Sequence, residues 1–185
     1  MQYFKFLIQG IRRPRTVGAI APSSKRLARQ MIKDIDFDRA VCIVEYGPGT
    51  GVFTEKLIKK KKPETILLVI EKNTVFYNDL QKKYQGIANL ILVNGSAENV
   101  ETYLQQHNVA QADYVVSGLP FTSLPKNISD QILEKTRQIL KNQGLFITFQ
   151  YTLLKKAYIA SFFTKIDLDR VILNLPPAYV FKCRH

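Results

Sequence analysis

The stretch VEYGPGTGVFT, residues 44–54, decides the fold of this chain. A short apolar run leads into the turn Gly47-Pro48-Gly49-Thr50-Gly51, and a segment with helical periodicity follows. This order predicts a buried strand that turns directly into a helix. Glycines at such a turn let backbone N–H groups come close to a ligand, and a helix N-terminus favours negative charge. The stretch therefore predicts a ligand-binding loop.

Apolar runs and helical patterns alternate along the chain around that stretch. The predicted strands are AVCIVEYG (40–47), ETILLVIEK (64–72), NLILVNG (89–95), ADYVVSG (112–118) and GLFITFQYT (144–152). The predicted helices are GVFTEKLIKKK (51–61), NTVFYNDLQKKY (73–84), AENVETYLQQH (97–107) and NISDQILEKTRQILKN (127–142), the last ended by Asn142-Gln143-Gly144. YTLLKKAYIASFFTK (151–165) predicts another helix, and RVILNLPPAYVFKCR (170–184) predicts two extended pieces. The alternation indicates one α/β domain, residues 1–185, with a mostly parallel sheet.

The composition limits the class of protein and its partners. The chain has 185 residues, of which 46% are hydrophobic, enough for one domain with a sizeable core. Lysine and arginine number 27 against 15 aspartates and glutamates, a net charge of +12. Such a surplus favours anionic partners, either nucleic acid or a phospholipid surface. Charge alone does not choose between the two.

Cysteine, histidine and apolar runs exclude several other classes. Two cysteines and two histidines are too few for a disulfide framework or a zinc cluster, so we expect no metal. No apolar run approaches the roughly 20 residues of a membrane span. The N-terminus lacks the order of a signal peptide, because its arginines follow the apolar stretch. We therefore expect a cytoplasmic protein.

Residues 1–39 form a predicted helical arm in two parts. The first has an apolar stripe, Phe4, Leu7, Ile8 and Ile11, followed by a cluster of arginines. The second begins near Ser23 or Ser24 as a cap, and its predicted buried face consists of Leu27, Ala28, Met31, Ile32 and Ile35. An amphipathic helix with basic residues at its end can lie in the headgroup layer of a membrane. The alternative, that the stripe packs on the domain, stays open.

Two carboxylates flank the glycine-rich turn in the predicted sheet. Glu45 comes directly before it, and Glu71 ends the second strand, 20 residues beyond Gly51. A carboxylate at the position of Glu71 can accept both hydroxyls of a ribose. The spacing G-x-G-x-G differs from the G-x-G-x-x-G of dinucleotide dehydrogenases. A nucleoside ligand is therefore predicted.

These motifs resemble the class I S-adenosylmethionine-dependent methyltransferases, a Rossmann-like α/β family. The resemblance implies a seven-stranded, mostly parallel sheet with helices on both faces and a reversed final strand. It implies S-adenosylmethionine as cofactor, with Glu45, the turn and Glu71 among its contacts. The full set of cofactor-binding residues that it implies is Glu45, Gly47, Gly49, Thr50, Gly51, Glu71, Lys72, Ser96, Ala97 and Ser117. Ser96 stands where the family often has aspartate, and Glu98 is a candidate replacement.

Three further segments resemble bacterial phospholipid N-methyltransferases, which methylate phosphatidylethanolamine. They are Pro22-Ser23-Ser24, Ser117-Gly118-Leu119-Pro120 and Asn174-Leu175-Pro176-Pro177-Ala178. The resemblance implies methyl transfer to a headgroup amine, and a protein that lies peripherally on the inner face of the membrane. The rival family is the ribosomal RNA adenine dimethylases, whose loop reads N-L-P-[YF]. Gly118 occupies the place of that asparagine and has no side-chain acceptor. RNA and a non-catalytic cofactor-binding module remain as alternatives.

The same resemblance suggests residues for the acceptor side of the site. The Ser117 hydroxyl and the carbonyls from Gly118 through Leu119 to Pro120 would accept hydrogen bonds from the amine. An aromatic wall of Phe121, Tyr151 and Tyr179 would favour methylated cations through cation–π contact. Ordinary packing is the alternative role for each of the tyrosines.

Overall fold

The computed structural model describes residues 25–172, 174 and 176–185. The predicted apolar stripe of the arm, its arginines, and the caps Ser23 and Ser24 lie outside the described residues. The helices are α1 (Lys25–Met31), α2 (Val52–Lys60), α3 (Thr74–Lys83), α4 (Val100–Gln106), α5 (Lys126–Ile139) and α6 (Lys156–Ala160), with a 3₁₀ turn at Ala97–Asn99 before α4. The strands are β1 (Cys42–Tyr46), β2 (Ile66–Glu71), β3 (Leu90–Asn94), β4 (Ala112–Ser117), β5 (Leu140–Gln150), β6 (Lys165–Val171) and β7 (Ala178–Arg184).

The seven strands form one sheet in the order β3-β2-β1-β4-β5-β7-β6. Strands β1 to β5 pair in parallel, and β7 runs antiparallel to both of its neighbours. The predicted mostly parallel sheet with a reversed final strand is therefore confirmed. Because β1 and β4 are neighbours, the loops after Tyr46 and Ser117 leave the same edge of the sheet side by side. This is the edge where open parallel sheets bind ligands.

Two core clusters cover the two faces of the sheet. On one face, α1 and α2 contribute apolar side chains; on the other, the segments around α4, α5 and α6 do so. The first cluster includes the predicted buried face of the arm, Leu27, Ala28, Met31, Ile32 and Ile35, all of which are buried. The predicted buried face of the second part of the arm is therefore confirmed, and this part packs on the domain.

The structure corrects the predicted helix over residues 151–165. Only Lys156–Ala160 is helical, and β6 already begins at Lys165. Residues before the helix form a turn, in which the Leu154 N–H donates to the Thr152 hydroxyl. A side-chain hydroxyl that accepts from a nearby backbone amide competes with helix formation. The segment KIDLDRV alternates in polarity, as a strand with two different faces does.

A second correction concerns the predicted end of α5. The helix ends at Ile139, and β5 begins directly at Leu140, before Asn142-Gln143-Gly144. Leu140 pairs with Ala112 and Leu145 with Tyr114, so the strand bulges over the residues between. The glycine therefore lies in an irregular strand start instead of a helix stop.

Candidate active site

The glycine-rich turn lies at the carboxyl edge of β1 and is held in a left-handed backbone conformation. The φ angles of Gly47, Gly49 and Gly51 are 59°, 56° and 81°, a region that residues with a Cβ rarely adopt. A Cβ built on Gly49 meets no atom within 4 Å. The turn therefore presents open backbone at this point, where a ligand can come close.

Glu71, at the end of β2, fixes the position of this turn. Its Oε2 accepts a hydrogen bond from the Gly49 N–H at 3.0 Å, and its Oε1 accepts one from the Asn73 N–H at 2.8 Å. Burial raises the pKa of this carboxyl, and the backbone donors oppose that rise. Each oxygen retains a lone pair for a further donor, so the predicted contact with ribose hydroxyls is compatible with the geometry.

Glu45 is fully buried in β1, and neither of its carboxylate oxygens has a hydrogen-bond partner among the described residues. Burial raises its pKa to about 8, the hydroxyl and backbone of Thr54 oppose the rise, and the charge of Glu71 adds to it. Thr54 is close enough for this electrostatic effect without forming a hydrogen bond of normal geometry. A buried carboxyl without partners is costly to a fold, which marks it as a candidate for binding a ligand.

The segment after β3 brings a carboxylate to the expected place of the adenine. The Ser96 hydroxyl donates to Glu98 Oε2 at 2.5 Å, so the two residues act as one polar group. Ala97 is buried against the core beside them. Lys72 and Thr50 are exposed at the same edge of the sheet. The predicted cofactor residues thus come together along the ends of β1, β2 and β3.

The loop after β4 contacts the glycine-rich turn through the backbone of Gly118 and the side chain of Leu119. The Gly118 N–H donates to the Tyr46 carbonyl at 2.8 Å. A Cβ built on Gly118 would lie 2.6 Å from the carbonyl oxygen of Gly47, closer than real Cβ atoms approach such an atom. No side chain fits at position 118 unless one of the loops moves.

The carbonyl of Gly118 has no hydrogen-bond donor among the described residues. In a parallel ladder, a residue that donates to one neighbour accepts from the residue two positions further along that neighbour. Here that residue is Pro48, which has no N–H. The next carbonyls in the loop are already used, since Leu119 accepts from Phe121 and Pro120 accepts from the residues after it. Gly118 therefore carries the free carbonyl of this loop.

The structure gives the predicted acceptor residues different roles. Ser117 is fully buried, and its hydroxyl accepts the Leu119 N–H at 3.2 Å, so this side chain shapes the loop. Phe121 lies in the core, edge-on to Phe146, and has no face open to an acceptor. The predicted stacking surface at Phe121 is thus absent, because the turn that follows Pro120 directs the ring inward.

The predicted aromatic wall is not assembled either. Tyr151 packs with Phe149 on the face of the sheet that α1 and α2 cover, whereas Tyr179 packs on the opposite face. Successive residues of a strand point to opposite faces, and Tyr151 follows a residue whose register partner is Tyr179. The two tyrosines therefore do not line one site.

Gln150, the last residue of β5, is a polar residue that sequence analysis missed. It is 3% exposed, and its Nε2 donates to the Leu119 carbonyl at 3.3 Å. Because the amide nitrogen must face that carbonyl, Oε1 points away and has no hydrogen-bond partner among the described residues. The signal was a glutamine at the end of an otherwise apolar strand, GLFITFQ. Gln150 and Gly118 thus place two unused acceptor oxygens on adjoining strand ends.

The residues at this edge fit S-adenosylmethionine. An open glycine turn, an unpartnered buried carboxyl at Glu45 and a backbone-held carboxylate at Glu71 match a cofactor with cationic and ribose groups. Among the described residues, no group of side chains is arranged to hold a metal ion. No helix in the described part of the chain is long and apolar enough to cross a membrane.

Fold and site together define a class I S-adenosylmethionine-dependent methyltransferase. The sequence profile of the ribosomal RNA adenine dimethylase family matches residues 23–161, and the chain belongs to this family. It is also similar to an ornithine lipid N-methyltransferase of Singulisphaera acidiphila, with 32% identity over 184 residues, which cover 98% of this chain and 95% of that protein.

Two further similarities cover less of the other protein. A ribosomal RNA small subunit methyltransferase A of Hydrogenobaculum is 33% identical over 87 residues, 47% of this chain and 32% of that protein. The solved 16S rRNA N2 G1207 methyltransferase of T. thermophilus, in complex with AdoMet and guanosine, aligns with a TM-score of 0.67 and 14% identity. That alignment covers 92% of this chain and 45% of the other, and it confirms the predicted fold.

Proposed function

We propose that this enzyme transfers a methyl group from S-adenosylmethionine to the primary amine of a lipid headgroup. The observation that carries the proposal is the contact at Gly118. In the loop that resembles N-L-P-[YF], a side chain at this position would collide with the Gly47 carbonyl. The asparagine of the rival adenine dimethylase motif therefore does not fit this packing. The hydrogen-bond acceptors that remain are the Gly118 carbonyl and Gln150 Oε1, which can orient a small amine.

The pattern of similarity supports the same choice. The relative named for an ornithine lipid matches nearly the whole chain, whereas the relative named for ribosomal RNA matches less than half of it. Phosphatidylethanolamine and an ornithine lipid share one chemical feature, a primary amine on an amphipathic molecule. The proposal is for that shared feature, and the experiment below separates the two lipids.

The site residues have positioning roles in this reaction. S-adenosylmethionine would supply a methyl group on a sulfonium: the amine lone pair would attack the methyl carbon in line, the C–S bond would break, and S-adenosylhomocysteine would leave. Before attack the ammonium must lose a proton, and a fixed strong base is not required if water takes it. The Gly118 carbonyl and Gln150 Oε1 accept N–H bonds from the neutral amine and so orient its lone pair. Glu45 and the turn would hold the methionine end of the cofactor, and Glu71 would hold its ribose.

The test offers labelled S-adenosylmethionine and purified enzyme, in parallel, to three acceptors: phosphatidylethanolamine, ornithine lipid and ribosomal RNA. We expect label in one or both lipids and none in RNA, with the methylated amine identified by mass spectrometry. Label in adenine of RNA, with both lipids unlabelled, contradicts the proposal and favours the adenine dimethylase function of the family.

A variant of Gln150 tests the acceptor role. Gln150→Leu should lower kcat by roughly tenfold or more, with unchanged affinity for S-adenosylmethionine, because orientation of the amine is lost. The matched control is Gln143→Leu, at the exposed start of the same strand, and its activity should equal that of the wild type. Equal activity of both variants would remove Gln150 from the acceptor site.

A further inference from the structure

Exposed apolar side chains lie at the carboxyl edge of the sheet, close to the proposed acceptor oxygens of Gly118 and Gln150. Leu154 is 86% exposed and Leu153 is 42% exposed, in the loop that follows β5. Ile172, directly after β6, is 63% exposed. Strands β5 and β6 flank β7, so the two loops leave the same edge roughly 10 Å apart. Half of the large apolar side chains that the described structure exposes are therefore in this one region.

The leucine loop has a defined shape. The Leu154 N–H donates to the Thr152 hydroxyl at 3.1 Å, and the Lys156 N–H donates to the Leu153 carbonyl at 2.8 Å. Below it, the ring of Tyr151 lies edge-on to Phe149, with 5.5 Å between ring centroids. The turn thus holds Leu154 at its tip, pointing away from the domain, although burial of a leucine is favourable.

The charges next to the tip are positive. Lys155 and Lys156 follow directly, and neither forms a salt bridge within the described structure. The Lys155 ammonium lies 4.8 Å from the ring centroid of Tyr158. The nearby acid, Asp130, is already paired with Lys126 at 2.7 Å and accepts the Tyr158 hydroxyl. An apolar tip flanked by lysines suits an anionic bilayer, where leucines enter the acyl boundary and lysines contact headgroups.

We propose that the loop 152–156, together with Ile172, is the surface with which the enzyme docks on an anionic lipid bilayer. The proposal rests on the proposed lipid substrate, because a headgroup that reaches Gln150 keeps its acyl chains in the membrane. Leu154 lies four residues from Gln150, so docking by this loop brings the acceptor end of the sheet to the headgroup layer. This surface is separate from the arm, whose described part packs on the domain.

The test compares two exposed apolar residues at opposite edges of the sheet. Leu154→Gln and Val41→Gln each replace an exposed apolar side chain, 86% and 60% accessible, by a neutral polar one. With vesicles of phosphatidylcholine and phosphatidylglycerol, Leu154→Gln should weaken binding about tenfold, because one inserted leucine is lost. Val41→Gln should bind vesicles like the wild type. Leu154→Phe, which keeps a large apolar side chain at the tip, should also bind like the wild type.

A second readout separates docking from catalysis. Methyl transfer to a short-chain amino lipid below its critical micelle concentration should be equal in Leu154→Gln and wild type. Loss of that activity would place the loop in the acceptor site and overturn the proposal. Equal vesicle binding by Leu154→Gln and wild type also overturns the proposal. So does a wild-type enzyme that does not bind anionic vesicles; the exposed loop would then be a surface for a protein partner. If no lipid is methylated but the vesicle results hold, the proposed function fails and the docking surface stands.

Discussion

Two buried carboxylates at neighbouring strand ends differ in how they are satisfied. Glu71 accepts two backbone amides and holds the glycine-rich turn in place. Glu45 is fully buried without a partner among the described residues, and burial raises its pKa to about 8. The first is a structural support, and the second is a buried carboxyl that a ligand donor or cation would satisfy.

The pKa of Glu45 makes stability depend on pH in a predictable direction. The folded protein keeps a proton on Glu45 that the unfolded chain releases, so this residue's contribution to stability falls as pH rises from about 4.5 to about 8. Glu45→Gln removes this dependence. In the absence of cofactor, we compare the free energy of unfolding of Glu45→Gln with that of the wild type. The variant's value minus the wild-type value should rise by about 3 kcal/mol between pH 5 and pH 8.

Urea denaturation at both pH values measures the difference. The control is Glu64→Gln, at an exposed position, whose difference from the wild type should stay constant. Parallel stability curves for Glu45→Gln and wild type would show that the carboxyl is ionised in the fold at neutral pH.

At the scale of elements, one lysine joins the arm to the sheet. The Lys182 ammonium in β7 contacts Asp34, just after α1, at 2.5 Å, and also Asp169 in β6. The Gln30 amide of α1 donates to the same Asp169. Burial lowers the pKa of Lys182, but hydrogen bonds to both carboxylates outweigh it and the net shift is upward. The pairing therefore holds α1, β6 and β7 together at one side of the sheet.

Replacing this lysine should cost stability. Lys182→Met leaves two half-buried carboxylates without their common cation, and we expect a loss of about 2 kcal/mol in the free energy of unfolding. Lys165→Met, on the neighbouring strand, removes an exposed contact of 4.0 Å to Asp167 and should cost less than about 0.5 kcal/mol. Chemical denaturation measures both. Equal losses would show that the contacts of Lys182 with Asp34 and Asp169 stabilise the fold no more than an exposed ion pair does.

The element corrections share one cause. Local periodicity predicted one helix over residues 151–165 and assigned no strand to residues 166–169, whereas α6 covers only Lys156–Ala160 and β6 covers Lys165–Val171. The antiparallel pairing of β6 with β7 selected the strand, and pairing partners are not visible in a local pattern. In β5, pairing of Leu140 with Ala112 likewise extended the strand beyond its predicted start.

At the scale of the whole molecule, cofactor binding and folding are linked. A ligand that binds only the folded state, at a concentration of about 100 Kd, adds about 2.7 kcal/mol to the free energy of unfolding. For a chain of this size the corresponding rise in Tm is roughly 5 to 10 °C. We expect this rise with S-adenosylmethionine in the wild type.

The control for that rise is Gly49→Val. Its side chain would occupy the open space at the turn, and its φ of 56° suits no branched residue. We expect no rise in Tm on addition of S-adenosylmethionine to this variant, measured by scanning fluorimetry. Absence of a rise in the wild type would contradict the cofactor site itself.

The sequence by itself determined the alternation of strands and helices, the glycine-rich turn and its two carboxylates, because these follow from local periodicity and from backbone conformations that only glycine adopts readily. Only the tertiary structure decided the acceptor side. Gly118 and Gly47 lie 71 positions apart in the sequence, and their contact exists because β1 and β4 are neighbours in the sheet. The same strand order brings Gln150 beside that loop. Long-range pairing sets such distances, and no local pattern of residues encodes them.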